Sequence, residues 1–193
     1  MAIADIYKTD RKYDVIYADP PWEYKQSGSK KNARGMAKQH YMTMRTEDIC
    51  GLPIKRIKTD ASILFMWATF PNIVQALEVM KCWGFEYKTA AFVWVKKNKK
   101  QDSLFWGMGA YTRANAEACL IGISKKTKAK AAVKSHSVHQ IIYEPVEEHS
   151  KKPDAVRDRI KELLGDVSRI ELFARQQVPG WDCWGNELED KNA

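Results

Sequence analysis

Residues 14–24 read DVIYADPPWEY, an apolar run closed by an acid, two prolines and a tryptophan. Pro20 and Pro21 fix two φ angles and remove two N–H donors, so the turn offers carbonyl oxygens and the Asp19 carboxylate, all acceptors. Trp22 adds a flat apolar face. An acceptor-only clamp beside an aromatic plate suits a planar group bearing an NH2, such as the exocyclic amine of a nucleobase. That amine is a weak nucleophile because its lone pair is delocalised into the ring. Hydrogen bonds from both its N–H groups, to Asp19 and to the Pro20 carbonyl, would favour a pyramidal nitrogen and free the lone pair for attack. An ordinary proline-rich turn followed by a core tryptophan would carry the same four letters, so the motif alone leaves both readings open.

Such a turn needs a rigid support, and the chain supplies one. Val15 to Ala18 is continuously apolar, as expected of a central strand covered on both faces. Further runs of this kind fall at 62–67 (SILFMW), 90–95 (AAFVWV), 118–123 (ACLIGI) and 169–173 (RIELF). Between the second and third lies PNIVQALEVMKCWG. Its spacing predicts a helix opened by Pro71 and closed by Gly84, with Ile73, Val74, Leu77, Met80 and Trp83 on one face. A second helix is expected over KPDAVRDRIKELLG, between Pro153 and Gly165, burying Val156, Ile160, Leu163 and Leu164. Strands alternating with helices predict a wound α/β sheet, mostly parallel, with helices on both faces. Ligands of such sheets bind beyond the carboxyl ends of the strands, which is where Asp19 emerges.

With 193 residues, 45% hydrophobic and 29% charged, the chain reads as a single domain, 1–193, able to bury its own core. Its net charge of +8 is unevenly distributed. The segments 25–38, 96–100 and 125–134 hold 14 of the 32 Lys and Arg and no acid, leaving 18 basic against 24 acidic residues elsewhere. Acid-free basic runs on an otherwise acidic chain point to a phosphate-rich partner, although a solvated lysine surface would look the same segment by segment. The four cysteines form no CxxC pair, and the HxxH of His136 and His139 has no further ligand at a familiar spacing, so no metal is expected. No signal peptide or apolar membrane span is visible, and a cytoplasmic chain is expected. The stretches 23–45 and 97–114 lack periodicity and read as functional loops.

DPPW after a hydrophobic strand resembles the motif of N6-adenine methyltransferases. Together with NAEACLIG at 115–122, EEHSKKPD at 147–154 and IELFARQQVPGWDCWGNEL at 170–188, the chain is identified as a member of their MT-A type family. The resemblance spans nearly the whole chain in the family's order. It implies a class I methyltransferase fold, Rossmann-like with permuted motif order, and S-adenosylmethionine as cofactor. On the matching positions it implies a catalytic turn of Asp19, Pro20, Pro21 and Trp22, with Trp22 packed on the base. Cofactor contacts are implied for Asp19, Lys152 (to the cofactor carboxylate), Arg175, Asn186 and Glu187 (near the ribose), and for the backbone at Asp5 and Ile6. Glu187 stands where the family often has Gln. The substrate side falls on two loops: Tyr24, His40 and Tyr41 in the first, with Lys30, Lys31 and Arg34 meeting phosphate, and Trp106, Tyr111, Arg113 and Asn115 in the second. Glu117 follows on the next strand, a core role for Trp106 and Tyr111 stays open, and Lys96 to Lys100 are further expected phosphate contacts.

The implied partner is nucleic acid, DNA ahead of RNA because the chain carries no appended recognition domain. The resemblance equally admits a homodimer or a partner subunit, and a non-catalytic nucleic-acid-binding paralogue. Retention of both Asp19 and Trp22 argues against the last.

Overall fold

The structure is a computed structural model that describes residues 2–23, 43–109, 111–127, 132–147 and 151–188. The expected substrate contacts Tyr24, Lys30, Lys31, Arg34, His40 and Tyr41 lie outside the described residues.

The strands are β1 Tyr13–Ala18, β2 Lys58–Ala68, β3 Glu86–Lys97, β4 Ala116–Ile123, β5 Ile141–Pro145, β6 Arg169–Leu172 and β7 Asp182–Trp184. The helices are α1 Thr46–Cys50, α2 Ile54–Ile57, α3 Ile73–Cys82 and α4 Ala155–Leu164, with 3-10 turns at Phe70–Asn72 and Asn186–Leu188. One sheet joins all seven strands in the order β5-β3-β4-β2-β1-β6-β7. The pairs β1–β2, β1–β6, β6–β7 and β3–β5 are parallel, and β4 runs antiparallel to both β2 and β3. Six strands therefore point one way and bring their carboxyl ends to one edge, where β4 begins. β1 lies between β2 and β6, so the chain winds outward in both directions from it, and this reversal is where open α/β sheets place their ligands.

The pleat divides the core in two. Ile16, Ala18, Leu64, Met66 and Leu120 face α1, α2 and α3. Val15, Tyr17, Phe65, Trp67, Phe92, Trp94 and Cys119 face α4 through its Val156, Ile160 and Leu164. Gly84 and Gly165 end α3 and α4 with positive φ, as their positions in the sequence predict. One expectation is corrected by the packing of α3. The buried stripe of α3 runs through Ala76, Val79 and Met80, leaving Val74 73% exposed, because the helix is rotated away from the stripe drawn through Ile73 and Val74. The stretch 97–114, expected as a loop without periodicity, folds back on itself in its described residues. Leu104 bridges Lys97, Phe105 N–H donates to the Lys96 carbonyl at 2.9 Å, and Ala114 N–H donates to Gly107 O at 3.2 Å. A Cβ on Gly107 would run into the Ala114 carbonyl, which is why glycine stands at this fold-back.

Candidate active site

A cavity of about 690 Å³ opens at the carboxyl edge of the sheet, within the range of small-molecule sites. Its wall holds Asp19 after β1, Phe173 and Arg175 after β6, Glu187 after β7, Pro145 at the end of β5 and Glu147 beyond it, and Lys151 and Lys152 ahead of α4. Tyr17 and Glu171 form part of its base.

β1 delivers Asp19 on the α4 face, in step with Val15 and Tyr17. Its carboxylate meets Lys152 Nζ at 2.9 Å, and the same ammonium lies 3.3 Å from Glu117 Oε2. Lys152 arches over the indole of Trp67, 5.7 Å from the ring centroid, which places it between β1 and β4. Glu117 is held from its other side by Lys96 Nζ at 2.5 Å. Beyond Asp19, Arg157 of α4 grips Glu171 with two hydrogen bonds of 2.7 Å. The rim thus alternates carboxylates from β6, β1 and β4 with cations from α4, its leading segment and β3.

Burial raises the Asp19 carboxyl above its ordinary value, with Lys152 opposing the rise. Burial also pushes Glu117 upward, but Lys152 and Lys96 outweigh it and hold Glu117 below the usual glutamate value. Lys152 is driven the opposite way from an ordinary buried lysine: desolvation lowers it, but Asp19 and Glu117 together raise it well above its normal value. Asp19 is thereby a carboxyl raised by desolvation, with the shared Lys152 ammonium, and Arg175 further off, opposing the rise.

The DPP turn departs from expectation in its carbonyls. Pro20 O accepts Trp22 N–H at 2.9 Å and Pro21 O accepts Met44 N–H at 2.8 Å, so each keeps one lone pair for a ligand instead of two. Trp22 also differs. Its ring is only 7% exposed and its indole N–H donates to Trp67 O at 3.0 Å, so the ring is a core group anchoring the turn, not an open plate.

Lys152, expected at the cofactor carboxylate, lies in the cavity wall but spends its ammonium on Asp19 and Glu117, because the segment before α4 folds inward over Trp67. Arg175 and Glu187 face each other across the rim at 3.5 Å, whereas Asn186 is exposed and does not line the cavity. Asp5 and Ile6 do not line it either: the Asp5 carboxylate accepts Tyr7 N–H at 2.9 Å, and Ile6 is fully buried. Trp106 and Tyr111 are exposed, 72% and fully, which removes the core reading for both. Arg113 lies over the Trp106 ring at 5.2 Å. The Asn115 carbonyl accepts Lys96 N–H at 2.8 Å and closes the base of this loop. Two expected phosphate contacts are turned elsewhere, Lys96 onto Glu117 and Lys97 onto Asp102, each drawn by a nearer carboxylate; Lys99 lines the cavity.

Glu171, Arg157 and Phe173 carry no site role in the motifs, and Glu117 is expected on the substrate side, on the strand after the second loop, without a charge partner. The signal was present for the two acids, since each interrupts an otherwise apolar strand. Phe173 carries φ of 59°, the only positive φ outside glycine among the described residues, and it sits where β6 turns into the cavity wall. Backbone strain of this kind concentrates where ligands bind. Among the described residues no cluster of His, Cys, Asp and Glu could hold a metal ion, and no helix is long and apolar enough to cross a membrane.

A wound sheet with a half-buried carboxylate at its reversal point, beside a cavity of small-molecule size, defines an α/β protein with a ligand site at the carboxyl ends of its strands. The MT-A70 family profile matches residues 13–187. The type II methyltransferase M.MunI of a Mycoplasma species is 36% identical over 194 residues, covering 93% of this chain and 79% of that protein. The N(6)-adenosine-methyltransferase catalytic subunit METTL3 of Homo sapiens is 28% identical over 181 residues, and an MT-A70-like N(6)-adenosine-methyltransferase of Arabidopsis thaliana is 27% identical over 179. The chain spans about a quarter of the length of these two eukaryotic relatives. It belongs to the MT-A70 family, and its sheet is the class I methyltransferase fold. It is a methyltransferase and draws on a methyl donor.

Proposed function

We propose that this protein transfers a methyl group from S-adenosylmethionine to the N6 amine of adenine in nucleic acid, with DNA the favoured substrate. The observation that carries the reading is Asp19: a desolvated carboxylate at the mouth of the cavity, oriented by Lys152, with the spare lone pair of the Pro20 carbonyl beside it.

The donor set of the cavity suits this cofactor. Carboxylates of Glu147, Glu171 and Glu187 offer acceptors for an ammonium and a ribose diol, while Arg175, Lys151 and Lys152 offer cations for a carboxylate. An ammonium carries three donors, so Lys152 can turn toward the cofactor carboxylate while keeping Asp19. Asn186, and the backbone of Asp5 and Ile6, remain proposed contacts at the outer end. When bound, S-adenosylmethionine supplies a methyl group on a positively charged sulfur.

The chain's own residues do the rest. Asp19 and the Pro20 carbonyl accept the two N–H hydrogens of the amine and hold its nitrogen pyramidal, with the lone pair aimed into the cavity. No strong base is needed: the nitrogen becomes acidic as the methyl arrives, and its proton passes to Asp19 or to water. Positioning supplies much of the acceleration. Trp22 holds the turn still from below. Trp106, Tyr111 and Arg113 suit an unstacked base and its phosphate, as aromatic and basic groups do on single-stranded nucleic acid.

DNA is favoured because the similarity to M.MunI extends over most of both chains, whereas the adenosine enzymes are matched over a fraction of their length. Incubation with S-adenosylmethionine and matched single-stranded DNA, duplex DNA and RNA, followed by mass-spectrometric detection of N6-methyladenine, tests the proposal. Product on DNA that disappears in Asp19→Ala is the expected result. Product on RNA alone would move the substrate, and no product anywhere would leave a nucleic-acid-binding role in its place.

A further inference from the structure

Four charges cross the sheet in one line above two indoles. Lys96 and Trp94 share a face of β3 by the period-two pleat, and Glu117 pairs directly opposite Trp94 on β4. Lys96 Nζ sits 5.0 Å above the Trp94 ring and 2.5 Å from Glu117 Oε1. The other oxygen of Glu117 faces Lys152 at 3.3 Å, and Lys152 faces Asp19 at 2.9 Å. The line spans β3, β4, β2 and β1, and Trp67 and Trp94 exclude water from beneath it.

Both ends of the line have chemical consequences. Asp19 is the proposed acceptor for the amine. Lys96 is the next-to-last residue of β3, at the base of the exposed aromatic loop; its N–H donates to Asn115 O and its carbonyl accepts Phe105 N–H. A shared carboxylate and a shared ammonium make the pairs interdependent. If Lys96 loses its charge, Glu117 turns wholly to Lys152 and dilutes that lysine's hold on Asp19. If Glu117 loses its charge, Lys152 belongs to Asp19 alone.

We propose that Lys96 and Glu117 are positioning residues for methyl transfer, setting the orientation and ionisation of Asp19 through Lys152. This rests on the reading of Asp19 as the amine's acceptor. Asp19 also faces Arg175 after β6, Glu171 of β6 and the Cys119 thiol of β4. All three are unchanged in the variants below, so they form a constant background.

The test follows Asp19 directly, by carbon NMR titration of protein carrying 13C-carboxyl aspartate, its signal assigned by loss in Asp19→Asn. The pH profile of methylation is measured in parallel. Lys96→Met is expected to move the Asp19 midpoint and the acid limb of kcat upward by about one pH unit, since a cation is withdrawn. Glu117→Gln is expected to move both downward by a similar amount, and Lys96→Arg to restore the wild-type profile. Opposite signs at neighbouring residues are something general structural damage does not produce. Glu117→Gln keeps the side chain's shape, so the downward shift remains measurable even if Lys96→Met folds poorly. Midpoints unchanged within about 0.2 pH unit in both variants, or moved in the same direction, would overturn the proposal. If the wild-type protein methylates nothing, the functional reading fails, while the NMR titration still decides whether the four charges are coupled.

Discussion

The indole N–H of Trp22 donates to the backbone carbonyl of Trp67 at 3.0 Å, tying the turn after β1 to the end of β2. Trp22 is a latch in this fold: its ring fills the core while its N–H fixes the height at which Asp19 and Pro20 face the cavity. Trp22→Phe keeps most of the apolar volume but removes the donor that the Trp67 carbonyl accepts in a buried place. Chemical denaturation is expected to show a loss of about 1–3 kcal/mol. Turnover should fall with cofactor affinity little changed, which calorimetric titration with S-adenosylmethionine checks alongside the methylation assay.

Asp19 separates activity from stability. Burial raises its folded-state pKa above the ordinary 3.8, so its contribution to stability is present below that value and lost as pH rises through the folded pKa. At neutral pH the fold gains nothing from this charge, and Lys152 still has Glu117 when it is removed. Asp19→Asn should melt within a few degrees of wild type or higher, while methylation drops by about 10²-fold or more. The acid limb of the wild-type rate profile should lie above the ordinary aspartate range.

Lys152 should behave in the opposite way. Lys152→Met leaves Asp19 and Glu117 buried without their shared cation, a change that costs about 3–5 kcal/mol near neutrality. Asp19, already raised by burial, then loses the main cation opposing the rise, so the missing stability returns as pH falls and it takes up a proton. Melting temperatures between pH 7 and pH 5 are expected to rise on acidification for the variant. In wild type Glu117 contributes no such rise: its pKa is depressed, so its stabilising charge is lost only as pH falls below the ordinary glutamate value of 4.5.

Gly185 lies where β7 turns toward Asn186 and Glu187, so close to the preceding crossover that a Cβ would strike the carbonyl and amide of Ala174. Ala174 N–H donates to Trp184 O at 2.9 Å at this point. Gly185→Ala should force the rim of the cavity apart at a cost of about 1–3 kcal/mol. Affinity for S-adenosylmethionine should fall about tenfold or more, read by titration calorimetry, with the helical circular dichroism signal retained.

The exposed loop gives a prediction about nucleic acid. Trp106→Ala and Tyr111→Ala should each weaken binding of single-stranded DNA by about 1–3 kcal/mol through lost stacking. Arg113→Ala should reduce the slope of log affinity against log salt by about one, because it removes one phosphate contact. Fluorescence anisotropy across a salt series measures both, and an unchanged slope with intact affinity would remove this loop from the nucleic-acid surface.

Much of the frame was legible in the letters. Val15 to Ala18, Ser62 to Trp67 and Ala118 to Ile123 are apolar runs that only a buried strand can use, and all three lie in strands. Pro71, Gly84, Pro153 and Gly165 marked helix ends by backbone chemistry that needs no neighbours. β5 and β7 escaped notice. One is a half-exposed edge strand and the other only three residues long, so neither writes a burial pattern of its own. The reversal of β4 was equally invisible, because a buried strand shows the same apolar run in either direction.

By itself, the sequence determined the strand that carries Asp19, the proline stiffness of the turn beyond it, and the family to which the ordered motifs belong. Those properties reside in single residues or short runs, where propensity and φ restriction act locally. Only the tertiary structure decided which charges meet. Lys96, Glu117, Lys152 and Asp19 are separated by tens of residues and become neighbours because β3, β4, β2 and β1 pair in that order and α4 brings Lys152 over Trp67. The same packing turned Trp22 inward and left Trp106 and Tyr111 in solvent. An aromatic letter reports an apolar area to be covered, and whether protein or ligand covers it is fixed by what the fold places beside it.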